Sequence, residues 1–283
     1  MKKILVLMIS VALPLLAGAQ AQINTKKIKI EDFTRKITKV VLTGNEFHDS
    51  SLRDEIAARW RISPYEFCSA EEFNSLKESE DYYFLLTVSG KFRKENGPGL
   101  MFLSLVKGGK NAAAGINEML EIISVPLCPT ENPSGREAVF LPAFIDIIQQ
   151  YTLDSMERDL SGYTGLSNYT LNMPKSGGMD IIFAEEDLSS EITRNFRDLH
   201  FDSSLYVTDE DSADEYMTDN APNTLVSYVV TPDDPQPGSY CYKMIISAET
   251  HQVYYYRRHR ITKKTGPGFL AEDLKRIISY RGH

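Results

Sequence analysis

The sequence predicts an α/β fold of mixed α+β character, made of two tandem copies of a β-α-β-α-β-β-β-α unit with mixed sheets covered by helices. Three observations predict it. Met179–Val207 reads as strand, acidic turn, helix and strand: Asp180-Ile181-Ile182-Phe183, then Ser190–Leu199, then Ser204-Leu205-Tyr206-Val207. The same order appears earlier, as Lys39-Val40-Val41-Leu42, an acidic turn, Ser51–Trp60 and Pro64-Tyr65-Glu66-Phe67. Both stretches then continue through a run of strands and close on matching helices, where Phe140-Leu141, Ile148 and Tyr151 have the same spacing as Phe269-Leu270, Ile277 and Tyr280. Alternation of strands and helices followed by a meander is the pattern of a mixed sheet with helical layers. Two packed sheets and one sheet shared across a pseudo-twofold both fit this pattern.

In chain order, residues 1–19 read as an export signal. Lys2 and Lys3 precede the apolar run Ile4–Leu16, and Ala17-Gly18-Ala19 is a small-x-small cleavage site. The run is shorter than a bilayer-spanning helix. Cleavage after Ala19 leaves 29 Lys+Arg against 39 Asp+Glu, a net charge of −10. Such a chain lacks the positive footprint that nucleic acid requires. No cysteine stands at the cleavage point for a lipid anchor, and no later run is apolar enough to span a membrane. The expectation is a soluble periplasmic or secreted protein.

Residues 20–38 are a polar, Lys-rich lead-in, read as an arm or an added strand. The first copy occupies residues 39–160. Val40-Val41-Leu42 is a short buried strand, and Thr43-Gly44-Asn45 ends it. Asp49 or Ser50 can cap the next helix by accepting from its unpaired amides. In that helix Leu52, Ile56, Ala57 and Trp60 recur at helical spacing. In the second copy, residues 179–283, Ser189 or Ser190 plays the capping part and Ile192, Phe196 and Leu199 form the stripe. The Ser69-led and Asp209-led acidic segments each start a short helix, with carboxylates near its positive end. Strands follow at Tyr82–Val88 and Leu100–Val106, joined through Gly97-Pro98-Gly99, and at Thr224–Val230 and Tyr240–Ser247.

Gly115–Leu127 could be a helix by composition. Its counterpart Gln252–Ile261 is rich in Tyr and reads as a strand, so the duplication assigns Met119–Leu127 to a strand after a Gly108–Gly115 loop. The first closing helix runs from Phe140 to about Leu160, with Pro142 in its first turn, where a missing amide matters little. Residues 161–178, rich in Gly, Ser, Asn and Pro, read as a linker.

Familiar catalytic signatures are absent from the sequence, and no cofactor motif is found. Gly108-Gly109-Lys110 lacks the rest of a phosphate loop. Ser104-Leu105-Val106-Lys107 and Lys264-Thr265-Gly266 match, in letters, two motifs of penicillin-recognising serine enzymes. Their Ser-x-x-Lys must begin a helix, and here it falls in a strand. His48, His200, His251, His259 and His283 show no ligand spacing, so no metal site is read. Asp209–Glu215 lacks the central glycine of a calcium loop. Cys68, Cys128 and Cys241 form no disulfide framework. They read as three buried thiols, with Cys68–Cys128 the pair that could bridge.

The candidate surface is Tyr254, Tyr256, Arg258 and Arg260, which alternate on one face of a strand, with Tyr255, Arg257 and His259 on the other. Aromatic rings beside guanidinium groups suit a partner protein, or an anionic or glycan ligand. The opposing reading is an edge strand blunted by cations that pair with acidic neighbours.

Ser239-Tyr240-Cys241-Tyr242-Lys243-Met244, Tyr254–Lys264 and Phe269–Ile278 resemble uncharacterised exported proteins of Bacteroides-type bacteria, which implies an envelope or secreted location and no assigned activity. The β-α-β order is also similar to periplasmic modules of envelope assembly proteins such as the curli secretion lipoprotein, an analogy of fold alone. The functional expectation is a non-catalytic envelope or secreted protein that binds an envelope protein or assembles with itself. A small-molecule or glycan-binding module, and a hydrolase whose site is assembled from scattered carboxylates, stand beside it. A polar cleft between the copies would favour the latter two; a closed apolar seam would favour the first.

Overall fold

The first copy comprises β1 (Ile37–Val41), α1 (Glu46–Arg59), β2 (Tyr65–Cys68), α2 (Ala70–Leu76), β3 (Tyr82–Gly90), β4 (Leu100–Lys107), β5 (Leu120–Pro129) and α3 (Arg136–Glu157). The second comprises β6 (Asp180–Ala184), α4 (Ser190–Asn195), β7 (Leu205–Thr208), α5 (Glu210–Thr218), β8 (Thr224–Val230), β9 (Tyr240–Ser247), β10 (Val253–Arg260) and α6 (Ala271–Arg281). These assignments come from a computed structural model that describes residues 30–90, 99–157, 165–195 and 204–281. The export signal, Gly97-Pro98 and the ends expected for α3 and α4 lie outside those residues.

Each copy forms its own five-stranded sheet, ordered β2-β1-β3-β4-β5 and β7-β6-β8-β9-β10. In both, the first strand pairs in parallel with the second and third, and the third, fourth and fifth are antiparallel. The duplication is therefore present in topology and hydrogen-bond direction. The ambiguous segment of the first copy is β5, as its counterpart required.

Local chemistry moves several boundaries. The cap of α1 is Asn45, whose side chain accepts from the amides of Phe47 and His48. Asp49 instead reaches back to the amides of Thr43 and Gly44, at 2.9 and 2.8 Å. It thereby closes the β1–α1 turn from inside the helix. Ser69 and Asp209 cap α2 and α5 as expected. Helix α3 begins at Arg136, so Pro142 falls in its second turn rather than its first. Phe269 precedes α6 and forms a parallel bridge with Leu188.

The described part of the lead-in is not an arm. Ile30 and Phe33 are buried, and the Phe33 ring meets Tyr83 edge-on at 4.7 Å. Where the sequence reads as a linker, Gly165–Ser176 is 3-10 helical. It lies along the free edge of β10, where the Thr170 hydroxyl bonds both the N–H and the C=O of Tyr256, at 3.1 and 3.2 Å. A strand edge left bare invites pairing with another chain, and this segment covers it.

The copies do not pack about a twofold. Helices α1 and α3 cover one face of the first sheet, and α2 covers the other. In the second copy, α4 and α6 share a face and α5 takes the opposite one. One continuous core joins the α1/α3 face of the first copy to the α5 face of the second. Two different faces meet, which makes the contact heterologous. Phe140 and Phe144 flank Tyr228 at 4.4 and 5.3 Å, and Phe102 meets Tyr242 at 5.6 Å. The Tyr228 hydroxyl donates across the seam to the Leu127 carbonyl at 2.6 Å.

Candidate functional site

Strand β10 carries the predicted Tyr/Arg surface, and a β-bulge corrects its pattern. Its register against β9 shifts between Val253 and Tyr255. A bulge inserts one residue and breaks strict alternation. Tyr254 consequently joins Tyr255 in the core beneath α4 and α6 and does not share a face with Tyr256, Arg258 and Arg260. Tyr256 is half-buried, with its ring 6.4 Å from that of Tyr242. Beyond it, the guanidinium groups of Arg258 and Arg260 lie 5.1 and 5.3 Å from the centre of the Tyr240 ring. Arg260 also donates to the Tyr240 hydroxyl at 3.0 Å.

The opposite face holds the structural charges. Arg257 pairs with Glu272 and Asp273 at 2.9 and 3.0 Å, and His259 donates to the Gly266 carbonyl at 2.9 Å. Burial moves His259 below its ordinary value, against the pull of the Gly266 carbonyl, which favours the protonated ring. Neither Arg258 nor Arg260 has a carboxylate within 4.0 Å among the described residues.

Two buried polar networks escaped the sequence reading. Lys243 and Asp273 form a fully buried ion pair. Asp273 also accepts from Tyr255, Arg257 and the Leu270 amide, at 2.6, 3.0 and 2.8 Å. Burial works to raise the Asp273 carboxyl; the Lys243 ammonium and these donors outweigh it and hold it below the usual range. Arg136, at the start of α3, reaches Asp214 at 2.9 Å, Asp187 at 3.0 Å and the Ser227 carbonyl at 3.1 Å. Every charge in these networks is directed at another part of the chain, so they lock the fold and offer nothing to a ligand.

A groove of about 540 Å³ opens at the margin of the two copies, between α3, the Gly165–Ser176 segment and the β9–β10 turn. Asp146, Gln150 and Asp154 recur every fourth residue of α3 and so line one helix stripe. Asn172 of the Gly165–Ser176 segment and His251 of the second copy face them. The turn holds His251 at a φ of 56°, which strains a residue with a Cβ. Its Nδ1 lies 2.6 Å from an Asp146 oxygen, and Arg59 donates to the same oxygen at 2.9 Å. A histidine oriented by a carboxylate supplies two of the three members of a nucleophilic triad. No serine or cysteine is among the residues lining this groove, and the Thr250 hydroxyl there makes no hydrogen bond to His251, so no triad is formed among the described residues. The stripe was visible in the sequence as polar residues four apart in an otherwise apolar helix.

The remaining motifs are structural. Ser104 lies on β4 and hydrogen-bonds Ser124 across the strand pair at 2.7 Å. Cys68, Cys128 and Cys241 are buried and unbridged. His48 sits 3.6 Å from Asp49 at the start of α1. Among the described residues, no three His, Cys, Asp or Glu side chains cluster as metal ligands, and no helix is long and apolar enough to cross a membrane. Compared with protein families, curated proteins and solved structures, the chain matches none.

Proposed function

We propose that this chain is an exported, non-catalytic envelope or secreted protein that binds a partner protein through the far end of β10. The observation that carries the reading is the pair Arg258 and Arg260, both placed over Tyr240 and both without a carboxylate partner among the described residues. Arginine and tyrosine are enriched at binding hot spots, and guanidinium groups held on a ring are already oriented for a carboxylate. The partner surface is therefore acidic. The closed apolar seam supports a platform over a catalytic cleft. The leader-like residues 1–19 support export.

Self-assembly by repetition of the internal contact is disfavoured. Counting from the caps Ser69 and Asp209, α5 buries Met217 at the seam where α2 carries Lys77. The outer face of the first copy thus bears a charge where the seam needs an apolar side chain. The test is a crosslinked pull-down from the native envelope fraction, comparing wild type with a variant in which Tyr256, Arg258 and Arg260 are serine. A defined partner, lost in the variant, is the expected result. An identical set of crosslinks from both proteins would refute the assignment of the surface, and no partner from either would refute the reading itself.

A further inference from the structure

We infer that the groove between α3, the Gly165–Ser176 segment and the β9–β10 turn binds a neutral, hydroxyl-rich ligand of the class of short oligosaccharides. This site is separate from the Arg258/Arg260 surface, and the inference does not depend on it.

Size is the first argument. About 540 Å³ falls within the range of small-molecule sites. Charge balance is the second. Asp146 is satisfied by Arg59 and His251, at 2.9 and 2.6 Å. Asp154 accepts from Gln150 at 2.9 Å and from the Tyr169 hydroxyl at 3.0 Å. Both donors are neutral, so among the described residues no cation pairs with Asp154. Lys175, also in the lining, likewise donates to a neutral group, the Asn172 side chain at 3.1 Å, so the wall carries one positive and one negative charge without an ion-pair partner among the described residues. A ligand of either charge would meet one of these two groups unfavourably. An apolar ligand would strip water from a carboxylate and several amides without replacing its hydrogen bonds. A sugar hydroxyl both donates and accepts, and therefore suits a wall that mixes carboxylate, amide and phenol groups.

The third argument is the apolar component. Half-buried Tyr169 belongs to the lining, Leu171 stands at the rim with 77% of its surface exposed, and the buried Tyr151 backs the wall. Sugar rings present C–H faces that pack on such groups while their hydroxyls bond at the edges. Rigidity is the fourth. The β9–β10 turn is closed by Ser247 N–H to the Gln252 carbonyl and His251 N–H to the Ser247 carbonyl, each at 2.9 Å. Asn172 is tied to the Val253 carbonyl at 3.0 Å. Walls already ordered in the free protein reduce the entropy lost on binding. One wall comes from the first copy and the facing wall from the Gly165–Ser176 segment and the β9–β10 turn of the second, so an occupant would bridge the copies.

The experiment uses the intact chain and a panel of neutral oligosaccharides (maltotriose, cellotriose, mannotriose and chitotriose) with tri-galacturonate as the acidic arm. Binding is read by saturation-transfer NMR and by the shift in melting temperature. At least one neutral member is expected to bind saturably. Asp154→Asn removes the carboxylate charge and Gln150→Leu alters an exposed side chain that orients it. Each should weaken that binding by about tenfold or more, at a melting temperature close to wild type. The serine variant of Tyr256, Arg258 and Arg260 should bind as wild type does, which separates this site from the protein-binding surface. The inference is overturned if no neutral member binds at about 10 mM, roughly tenfold above the ~1 mM dissociation constant of a weak ligand. It is equally overturned if tri-galacturonate binds better, or if neither groove variant changes the affinity.

Discussion

Replacing Arg136 with methionine tests what holds the two copies together. The side chain is 5% exposed. Its guanidinium lies over the Phe140 and Tyr228 rings at 5.4 and 5.2 Å and bonds Asp187, Asp214 and the Ser227 carbonyl. Methionine fills much of the same volume, so the cavity contribution is small. What remains is two carboxylates, both buried, that have lost their shared cation. Breaking a buried ion pair from one side destabilises by about 3–5 kcal/mol, a large part of the ~5–15 kcal/mol of a typical fold. Urea unfolding of wild type and variant at pH 7 measures the difference. The deficit should shrink in acid. Burial raises the Asp214 carboxyl above its ordinary 3.8, with Arg136 pulling it down. Without Arg136 it rises further. A carboxyl with a raised folded pKa keeps its proton longer in the folded state, so stability falls as pH rises from about 4 through that value. The variant should therefore approach wild type near pH 4 and show its full deficit at pH 7. Adding Asp187→Asn and Asp214→Asn should restore part of the loss. A deficit below about 1 kcal/mol at pH 7, or one that grows in acid, would refute the account.

Three further predictions follow from the described contacts. Asp49→Asn should destabilise by about 1–2 kcal/mol at neutral pH. Burial works to raise the Asp49 carboxyl, but bonds from Thr43 and Gly44 hold it below its ordinary 3.8. Its contribution is present above that value and is lost as pH falls through the lowered one, so urea midpoints of the two proteins should converge in strong acid. Gly268→Ala should destabilise by more than about 1 kcal/mol, read by the same titration. Gly268 has a φ of 89°, and a Cβ there would stand 2.7 Å from the Ser189 nitrogen and 2.8 Å from the Asp187 oxygen. Burial pushes the Cys68 thiol up to about 11 and those of Cys128 and Cys241 to about 12. A thiol-specific chromogenic reagent at pH 8 should thus be nearly silent with the folded protein and titrate three thiols on unfolding. Rapid native reaction of any one would contradict its burial.

Sequence by itself determined the duplication, because strand and helix periods are local and recur in the same order. It also placed most strands, the caps Ser69 and Asp209, and the buried thiols, since each follows from near neighbours in the chain. It placed Arg258 and Arg260 on a common face because alternation holds wherever the ladder is regular. Tyr254 left that face because a bulge depends on how β10 meets β9, which no residue of β10 reveals alone. Asn45 displaced Asp49 as cap because both residue types can accept from amides, and only the turn geometry chooses between them. The Gly165–Ser176 segment looked like a linker because its partner is the backbone edge of β10, reached through the fold and not along the chain. Only tertiary structure decided the heterologous stacking, the Arg136 and Lys243 networks, and the groove. The physical reason is the same for all three: each joins side chains far apart in sequence, and each depends on which sheet face is turned toward which. Hydrophobic patterning states that a face is buried, but it does not state against what.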